Sequence, residues 1–136
     1  MNEFEVNILA ADRPFYQGPC VHLQVPISTG QYGILAHHRN VIAAIVPGKL
    51  RLRTPDGAEQ TAAVSRGFLK VENNHVLLLA DTIERPEEID AVRAQREVDQ
   101  AREIILQKKS RQEYRIAQAT LARALNRLRV KARDVD

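Results

Sequence analysis

Side chains that could perform acid–base, nucleophilic or metal chemistry are few in this sequence and lie in unrelated contexts. The serines lack the strand-to-helix context of a nucleophile elbow, and the sequence contains neither a P-loop nor a G-x-G-x-x-G turn. His37 and His38 are neighbours, and neighbouring side chains of an extended chain point apart, which makes a poor chelating pair. We interpret His22 and His75 as exposed strand and turn residues. The pattern therefore predicts no catalytic residues, no metal site and no required cofactor.

Arginines near the carboxyl end form the one chemically distinctive pattern. Arg123 and Arg127 are four residues apart, so they project from one face of a helix. Arg93 could join them across a helical hairpin, and a cluster of guanidinium groups suits phosphate oxygens. The alternative is a solvated charged face, in which Arg93 pairs with Asp90 and Glu97 of its own helix. Spacing alone favours this alternative.

Charge and turn formers divide the chain at the same place. Residues 1–83 carry seven basic and seven acidic side chains, whereas residues 84–136 carry thirteen basic and ten acidic ones, which accounts for the net charge of +3. Every glycine lies at or before Gly67 and every proline at or before Pro86. Since both residues punctuate turns and disfavour helix interiors, we expect a turn-rich domain over residues 1–84 and a helical tail over residues 85–136.

The first domain shows the period-two pattern of strands. Apolar residues alternate with polar ones around Phe4, Val6 and Ile8, and again further along the chain at Val21, Leu23, Val25, Leu50 and Leu52. The Asn73–Asn74 pair separates residues 68–71 from residues 75–80 and predicts a tight hairpin turn, because asparagine tolerates a positive φ. Many short strands with regular turns predict an all-β sandwich or flattened barrel.

The tail shows the pattern of two helices. Apolar residues recur at spacings of three and four in each half, at Ala91, Ala94, Val98, Ala101 and Ile105, then at Tyr114, Ala117, Leu121, Ala124 and Leu128. Pro86 suits the first position of the first helix. The connection at residues 107–111 is polar but contains neither Gly nor Pro. A static hairpin and a switch between a hairpin and one extended helix are both compatible with this pattern.

Cysteine content and hydropathy restrict the setting in which the protein works. The single cysteine, Cys20, excludes an internal disulfide framework. No apolar run approaches the roughly 20 residues needed to span a bilayer, and the amino terminus lacks a secretory signal pattern. We therefore expect a cytosolic site of action without membrane insertion.

Several segments in collinear order resemble motifs of the ATP synthase ε subunit family. Residues 29–38 resemble its G-[ED]-x-G-I-L-P-x-H signature, and residues 66–71 its G-G-F-L-x-V motif. Gln31, Ala36 and Arg66 depart from these motifs, replacing the usual acid, proline and first glycine. Residues 77–80 and 84–85 resemble V-T-I-L-A…E-R, residues 89–94 resemble I/L-D-x-x-R-A, and residues 123–128 resemble R-A-x-N-R-L/I.

The resemblance implies a ten-stranded β-sandwich followed by an α-helical hairpin. It also implies a non-catalytic subunit of the central stalk of a bacterial F1Fo ATP synthase, on the cytoplasmic face of the cell membrane. The expected partners are the γ subunit, the c-ring of Fo and, through an extended tail, the α/β subunits. The tail would inhibit ATP hydrolysis through a conformational switch.

The family motifs also imply functional positions in this sequence. Gln31 and His38 would contact the c-ring. The folded hairpin would bind ATP as a regulatory ligand through Glu84, Ile89, Asp90, Arg93, Ala94, Arg123 and Arg127. Contacts of the extended tail with the catalytic β subunit would use Arg115, Arg123, Arg127 and Arg129.

A β-domain with a basic arm that binds nucleic acid is the main alternative. Between Tyr114 and Arg133 there are six basic residues and no acid, which could contact phosphates. The neutral first domain, the scarcity of aromatic residues and the apolar seam of the arm argue against it. A scaffold without any ligand is a further alternative. We therefore expect no nucleic-acid partner.

Overall fold

The computed structural model describes residues 2–107 and 110–135, the last three of them as backbone alone. The chain divides into two compact units, Met1–Glu84 and Arg85–Asp136. Within the described residues, the first unit contains ten strands and the second contains a short 3-10 turn and two helices. The strands are β1 Phe4–Ala10, β2 Pro14–Cys20, β3 His22–Ile27, β4 Gly30–Ile34, β5 Val41–Ile45, β6 Gly48–Arg53, β7 Glu59–Val64, β8 Gly67–Glu72, β9 His75–Ala80 and β10 Ile83–Glu84.

Two five-stranded sheets form the first unit, which confirms the predicted sandwich. One sheet has the strand order β2-β1-β9-β8-β5 and the other β10-β7-β6-β3-β4. The β1–β9 pair is parallel, with Ile8 opposite Leu78, and the remaining neighbours are antiparallel. Strands β1 and β9, which are far apart in sequence, are thus neighbours in the interior of one sheet. The fold of this unit therefore depends on contacts between distant parts of the chain.

The sandwich core consists of the inward-facing residues that period-two alternation predicts. Phe4, Val6 and Ile8 of β1 are all buried, as are Leu50 and Leu52 of β6. Their neighbours on the same strands face outward and are half-buried or exposed. Burial of these apolar side chains supplies most of the stabilisation of the sheets.

The hairpin turn between β8 and β9 forms at the predicted asparagine pair. Asn73 and Asn74 have φ angles of 50° and 64°, the left-handed values that asparagine tolerates better than most residues. This turn sets the register in which Glu72 lies opposite His75 and Gly67 opposite Ala80.

The second unit is a helical hairpin. Helix α1 spans Ala91–Leu106 and helix α2 spans Arg111–Val135. Asp90 caps α1, because its side chain accepts a hydrogen bond from the Arg93 backbone N–H at 3.1 Å. Ser110 acts in the same way before α2, where its hydroxyl accepts from the Glu113 N–H at 3.2 Å.

Small residues form much of the hairpin seam, as the heptad-like spacing predicts. Ala94, Val98 and Ala101 are buried on α1, and Ala117 and Ala124 on α2. Small side chains let the two helix backbones approach closely. Between the two helices, Lys108 and Lys109 of the predicted connection lie outside the described residues.

Three details differ from the sequence-based expectations. Pro86 begins a 3-10 turn, Pro86–Glu88, and not α1, because Ile89 returns to an extended conformation before the Asp90 cap. His37 and His38 lie in a turn with His37 at a φ of 64°, so the extended-chain reasoning about them is wrong. His22, expected on the strand surface, is half-buried.

Neither helix of the described part of the chain is long and apolar enough to cross a membrane.

Candidate functional site

The first candidate site is the loop of residues 35–40 between β4 and β5, which we call the docking loop. It carries His38, one of the two predicted c-ring contacts, and an exposed apolar side chain, Leu35. The other predicted contact, Gln31, lies exposed in β4 opposite Pro26 of β3. The hydrogen bond from the His38 N–H to the Leu35 carbonyl, 3.2 Å long, closes the turn.

The imidazole of His38 is held on both sides. Its Nε2 lies 2.8 Å from the Tyr32 hydroxyl, and its Nδ1 lies 2.8 Å from the Arg39 carbonyl oxygen. Because a carbonyl can only accept, the neutral ring carries its proton on Nδ1, and Nε2 accepts from Tyr32. The Tyr32 and His38 rings also meet edge to face, with centroids 5.4 Å apart. His38 is therefore presented in one orientation.

The second candidate site is the arginine group of the hairpin. Glu97 of α1 contacts Arg93 of its own helix, Oε1 to Nε at 3.5 Å, and Arg127 of α2, Oε2 to Nη1 at 3.4 Å. The structure thus brings Arg93 and Arg127 to one carboxylate across the hairpin. Arg123 is exposed, and its guanidinium donates to the Thr120 hydroxyl at 3.3 Å. It lies one turn from Arg127 on the same helix face.

The remaining predicted nucleotide-binding residues have different surroundings. Ile89 and Ala94 are only 4% and 0% exposed. Asp90 uses one carboxylate oxygen to cap α1. Glu84 belongs to the other unit, where it ends β10 and lies opposite Ala63 of β7. Within this set, Arg93 and Arg127 contact the same carboxylate, that of Glu97.

The predicted contacts with the β subunit lie along α2. Arg115 and Arg129 are exposed, like Arg123, whereas the side chain of Arg127 is only 18% exposed. Arg115 and Arg129 are fourteen residues apart, close to four helical turns, and so lie near one face. The side chain of Arg133, the last residue of the predicted basic run, lies outside the described residues. Three cations on a solvent-facing helix can contact an acidic protein surface.

Three residues that contact these groups or hold the hairpin were not identified as site residues from the sequence. Glu97 bridges the arginines, Tyr32 orients His38, and the Lys131 ammonium donates to the Pro86 carbonyl at 3.1 Å. Lys131 follows Arg127 by four residues, so helical spacing places it on the same face. That spacing was the available signal for Lys131, whereas the roles of Glu97 and Tyr32 depend on tertiary contacts.

Comparisons with known proteins agree with both units. Residues 3–86 match the family model described as "ATP synthase, Delta/Epsilon chain, beta-sandwich domain". Residues 87–132 match the model described as "ATP synthase, Delta/Epsilon chain, long alpha-helix domain". The described fold, ten strands in two sheets followed by two helices, corresponds to this pair of domains.

Related chains match over nearly their whole length. The ATP synthase epsilon chain of Caldanaerobacter subterraneus subsp. tengcongensis is 40% identical over 131 residues, which cover 96% of this chain and 94% of that one. The ATP synthase epsilon chain of Nitrosococcus oceani is 35% identical over 124 residues, which cover 91% and 89%.

Solved structures share the fold at lower identity. A chain of the Euglena gracilis mitochondrial ATP synthase, in the structure of its OSCP/F1/c-ring, has a TM-score of 0.82 at 18% identity, covering 98% of this chain and 82% of that one. A chain of the Tetrahymena thermophila mitochondrial ATP synthase central stalk and c-ring has a TM-score of 0.69 at 11% identity, with coverage of 93% and 95%.

Fold and comparisons together define a two-domain protein with a β-sandwich and a helical hairpin, of the kind found in ATP synthases. The chain belongs to the ATP synthase delta/epsilon chain family.

Proposed function

We propose that this chain is the epsilon subunit of a bacterial F1Fo ATP synthase, a non-catalytic part of the central stalk. The observation that carries this proposal is the match of both domains in chain order, with a relative named ATP synthase epsilon chain covering 96% of the sequence. The subunit would belong to the peripheral F1 sector on the cytoplasmic face of the cell membrane. Its partners would be the γ subunit and the c-ring.

The sandwich supplies the proposed contact with the c-ring. Leu35 is exposed on the docking loop and Gln31 is exposed beside it in β4, and His38 is held by Tyr32 and Arg39 in a fixed orientation. Because Gln31 is neutral, this contact would depend on hydrogen bonds and shape and not on a carboxylate at that position.

The hairpin supplies the proposed regulation of ATP hydrolysis. In the folded form, Arg127 pairs with Glu97 across the two helices, and Lys131 contacts Pro86. An extended tail would release Arg127 and present it with Arg115, Arg123 and Arg129 to acidic surfaces of the catalytic β subunit, which would inhibit hydrolysis.

ATP is the proposed ligand of the folded hairpin. Arg93, Arg123 and Arg127 would hold phosphate oxygens, while Asp90 or Glu84 would accept a hydrogen bond from the adenine amino group or a ribose hydroxyl. Ile89 and Ala94 would supply the apolar wall, which requires a local shift because both are buried. A ligand that binds one form better shifts the equilibrium toward it, so ATP would favour the hydrolysis-permissive hairpin.

An add-back experiment tests these proposals on the assembled enzyme. Membranes depleted of the epsilon subunit would receive either the full chain or a chain lacking residues 87–136, and ATP hydrolysis and ATP-driven ion pumping would be measured. We expect both chains to restore pumping and only the full chain to inhibit hydrolysis. Equal hydrolysis with the two chains would overturn the regulatory role, and failure of both to restore pumping would overturn the stalk assignment.

A further inference from the structure

The side chain of Asn74 connects three segments that are distant in sequence. Its Oδ1 accepts a hydrogen bond from the His37 backbone N–H at 2.7 Å, and its Nδ2 donates to the Glu3 carbonyl at 2.9 Å. The Asn74 carbonyl also accepts from the N–H of Glu5 at 3.2 Å. One amide thus ties the β8–β9 turn to the docking loop and to the beginning of β1.

A reciprocal bond strengthens the connection to the docking loop. The side-chain oxygen of Asn40 accepts from the backbone N–H of Asn73 at 3.0 Å. The loop and the turn therefore each offer one side-chain amide oxygen to a backbone N–H of the other. The docking loop is fixed at His37 and at Asn40, on either side of His38.

The backbone of His37 explains why this support matters. Its φ of 64° is uncommon for a residue other than glycine, and such conformations persist when surrounding contacts determine them. The hydrogen bond from the His37 N–H to Asn74 is such a contact. Because His38 follows directly, the conformation of His37 sets the direction from which the His38 ring reaches Tyr32.

We propose that Asn74 is a positioning residue, which holds the docking loop in the conformation that presents His38 to the c-ring. This inference rests on the proposed c-ring contact and assigns to Asn74 a role beyond that of a turn residue. A rotor contact must transmit force, and a loop tied at two points to a sheet moves less under load than a loop tied only through its ends.

Two glycine substitutions in the same turn separate this role from turn formation. Asn74→Gly removes both side-chain hydrogen bonds yet tolerates the positive φ. Asn73→Gly is the matched control, because the hydrogen bond from Asn73 to Asn40 uses the Asn73 backbone N–H, which glycine retains. Asn74→Asp keeps the acceptor for His37 and removes the donor to Glu3.

The measurements are amide hydrogen exchange of the full chain and its binding to the detergent-solubilised c-ring. We expect Asn74→Gly to speed exchange at His37 about tenfold and to weaken binding several-fold. We expect Asn73→Gly to change neither, and Asn74→Asp to retain binding. Unchanged binding by Asn74→Gly, with faster exchange at His37, would overturn the positioning role.

Two further outcomes are decisive. If Asn74→Gly lowers the thermal stability of the sandwich, weaker binding has two explanations, and Asn74→Asp distinguishes them. Loss of binding by a stable aspartate variant would show that the hydrogen bond to His37 does not support binding to the c-ring. If the unsubstituted chain fails to bind the c-ring, the proposed contact itself is wrong, and the role of Asn74 falls with it.

Discussion

Glu97 and Arg127 form an ion pair across the two helices of the hairpin, with Oε2 and Nη1 3.4 Å apart. The two side chains are 29% and 18% exposed, so water screens this pair less than a fully exposed one. The second oxygen of Glu97 contacts Arg93. Glu97 therefore acts as an internal anion for two guanidinium groups that we propose as phosphate ligands.

Glu97→Gln should tighten ATP binding, because the neutral amide no longer competes with phosphate for Arg93 and Arg127. We expect roughly a three- to tenfold gain in affinity, which is the size of effect expected when one partly screened competing charge is removed. Titration calorimetry of the full chain at fixed ionic strength measures it. Asp99→Asn is the matched control: it makes the same charge change on α1, at an exposed residue whose carboxylate contacts Gln95.

The same titration tests the arginines. Arg93→Gln and Arg127→Gln should each weaken ATP binding by about tenfold or more, because each loses a charge-assisted hydrogen bond to phosphate. Equal affinities for Glu97→Gln and Asp99→Asn would show that Glu97 does not compete with the ligand. Full binding by both arginine variants would place any nucleotide site elsewhere.

Strands and the tight turn were predictable because their signals are local. The alternation at Phe4, Val6 and Ile8 gives the buried face directly, and Asn73–Asn74 provides the positive φ of the turn. The division into a sandwich and two helices follows from the placement of glycine and proline. The pattern predicts that α1 begins at Pro86, which is wrong because the proline begins a 3-10 turn and α1 starts only after the Asp90 cap.

The side-chain contacts of the candidate sites were less predictable because they depend on how distant segments pack in the folded chain. The sequence identified Glu97 only as a neighbour of Arg93 on one helix, whereas its contact with Arg127 requires the packed hairpin. Nothing local indicated that Asn74 would bond to His37, which lies 37 residues away in sequence. Motif resemblance suggested Gln31 and His38, but only the structure shows how Tyr32 holds the histidine ring.

Enlarging a buried alanine of α2 should destabilise the folded hairpin. Ala124 is fully buried on the seam face of α2, and Ala124→Leu should cost about 1–3 kcal/mol through overpacking. Hydrogen exchange should accelerate in α1 and α2 while the strand amides stay unchanged. Ala122→Leu, at an exposed position of the same helix, is the control. Equal exchange in both variants would contradict the tight seam.

Gly67 should not tolerate a side chain. A Cβ at this position would lie far inside contact distance of the Leu79 carbonyl oxygen and 2.7 Å from the Ala80 Cα. Both obstacles are backbone atoms of β9, so Gly67→Ala should lower the free energy of unfolding of the sandwich by about 2–4 kcal/mol. Gly33→Ala, whose Cβ would meet only His22 at 3.7 Å, should unfold at nearly the parent temperature. Thermal denaturation that left Gly67→Ala unaffected would show that β8 and β9 can separate at low cost.

Cys20 should be unreactive in the folded sandwich. Its thiol is fully buried and donates to the His22 carbonyl at 3.0 Å, and burial raises its pKa above the ordinary value of 9.0. The attacking species is the thiolate, and the buried thiol neither ionises readily nor meets the reagent. Modification by a disulfide reagent at pH 8 therefore requires opening of the sandwich and should be slower by about 10³-fold than in denaturant. Ser28→Cys in a Cys20→Ala background, which places a thiol at an exposed position, should react at once.

The raised thiol pKa also predicts a loss of stability in base. Above pH 9.0 the unfolded chain ionises Cys20 while the folded chain keeps it protonated, so the free energy of unfolding falls as pH rises through this value. The pKa of Tyr16 is raised as well, chiefly by burial, and adds to the loss at pH values above its ordinary 10.0. Denaturant unfolding at pH 8 and pH 10 should show a smaller decrease in Cys20→Val than in the parent chain. Equal decreases in the two chains would mean that the thiol ionises as readily in the folded state as in the unfolded one.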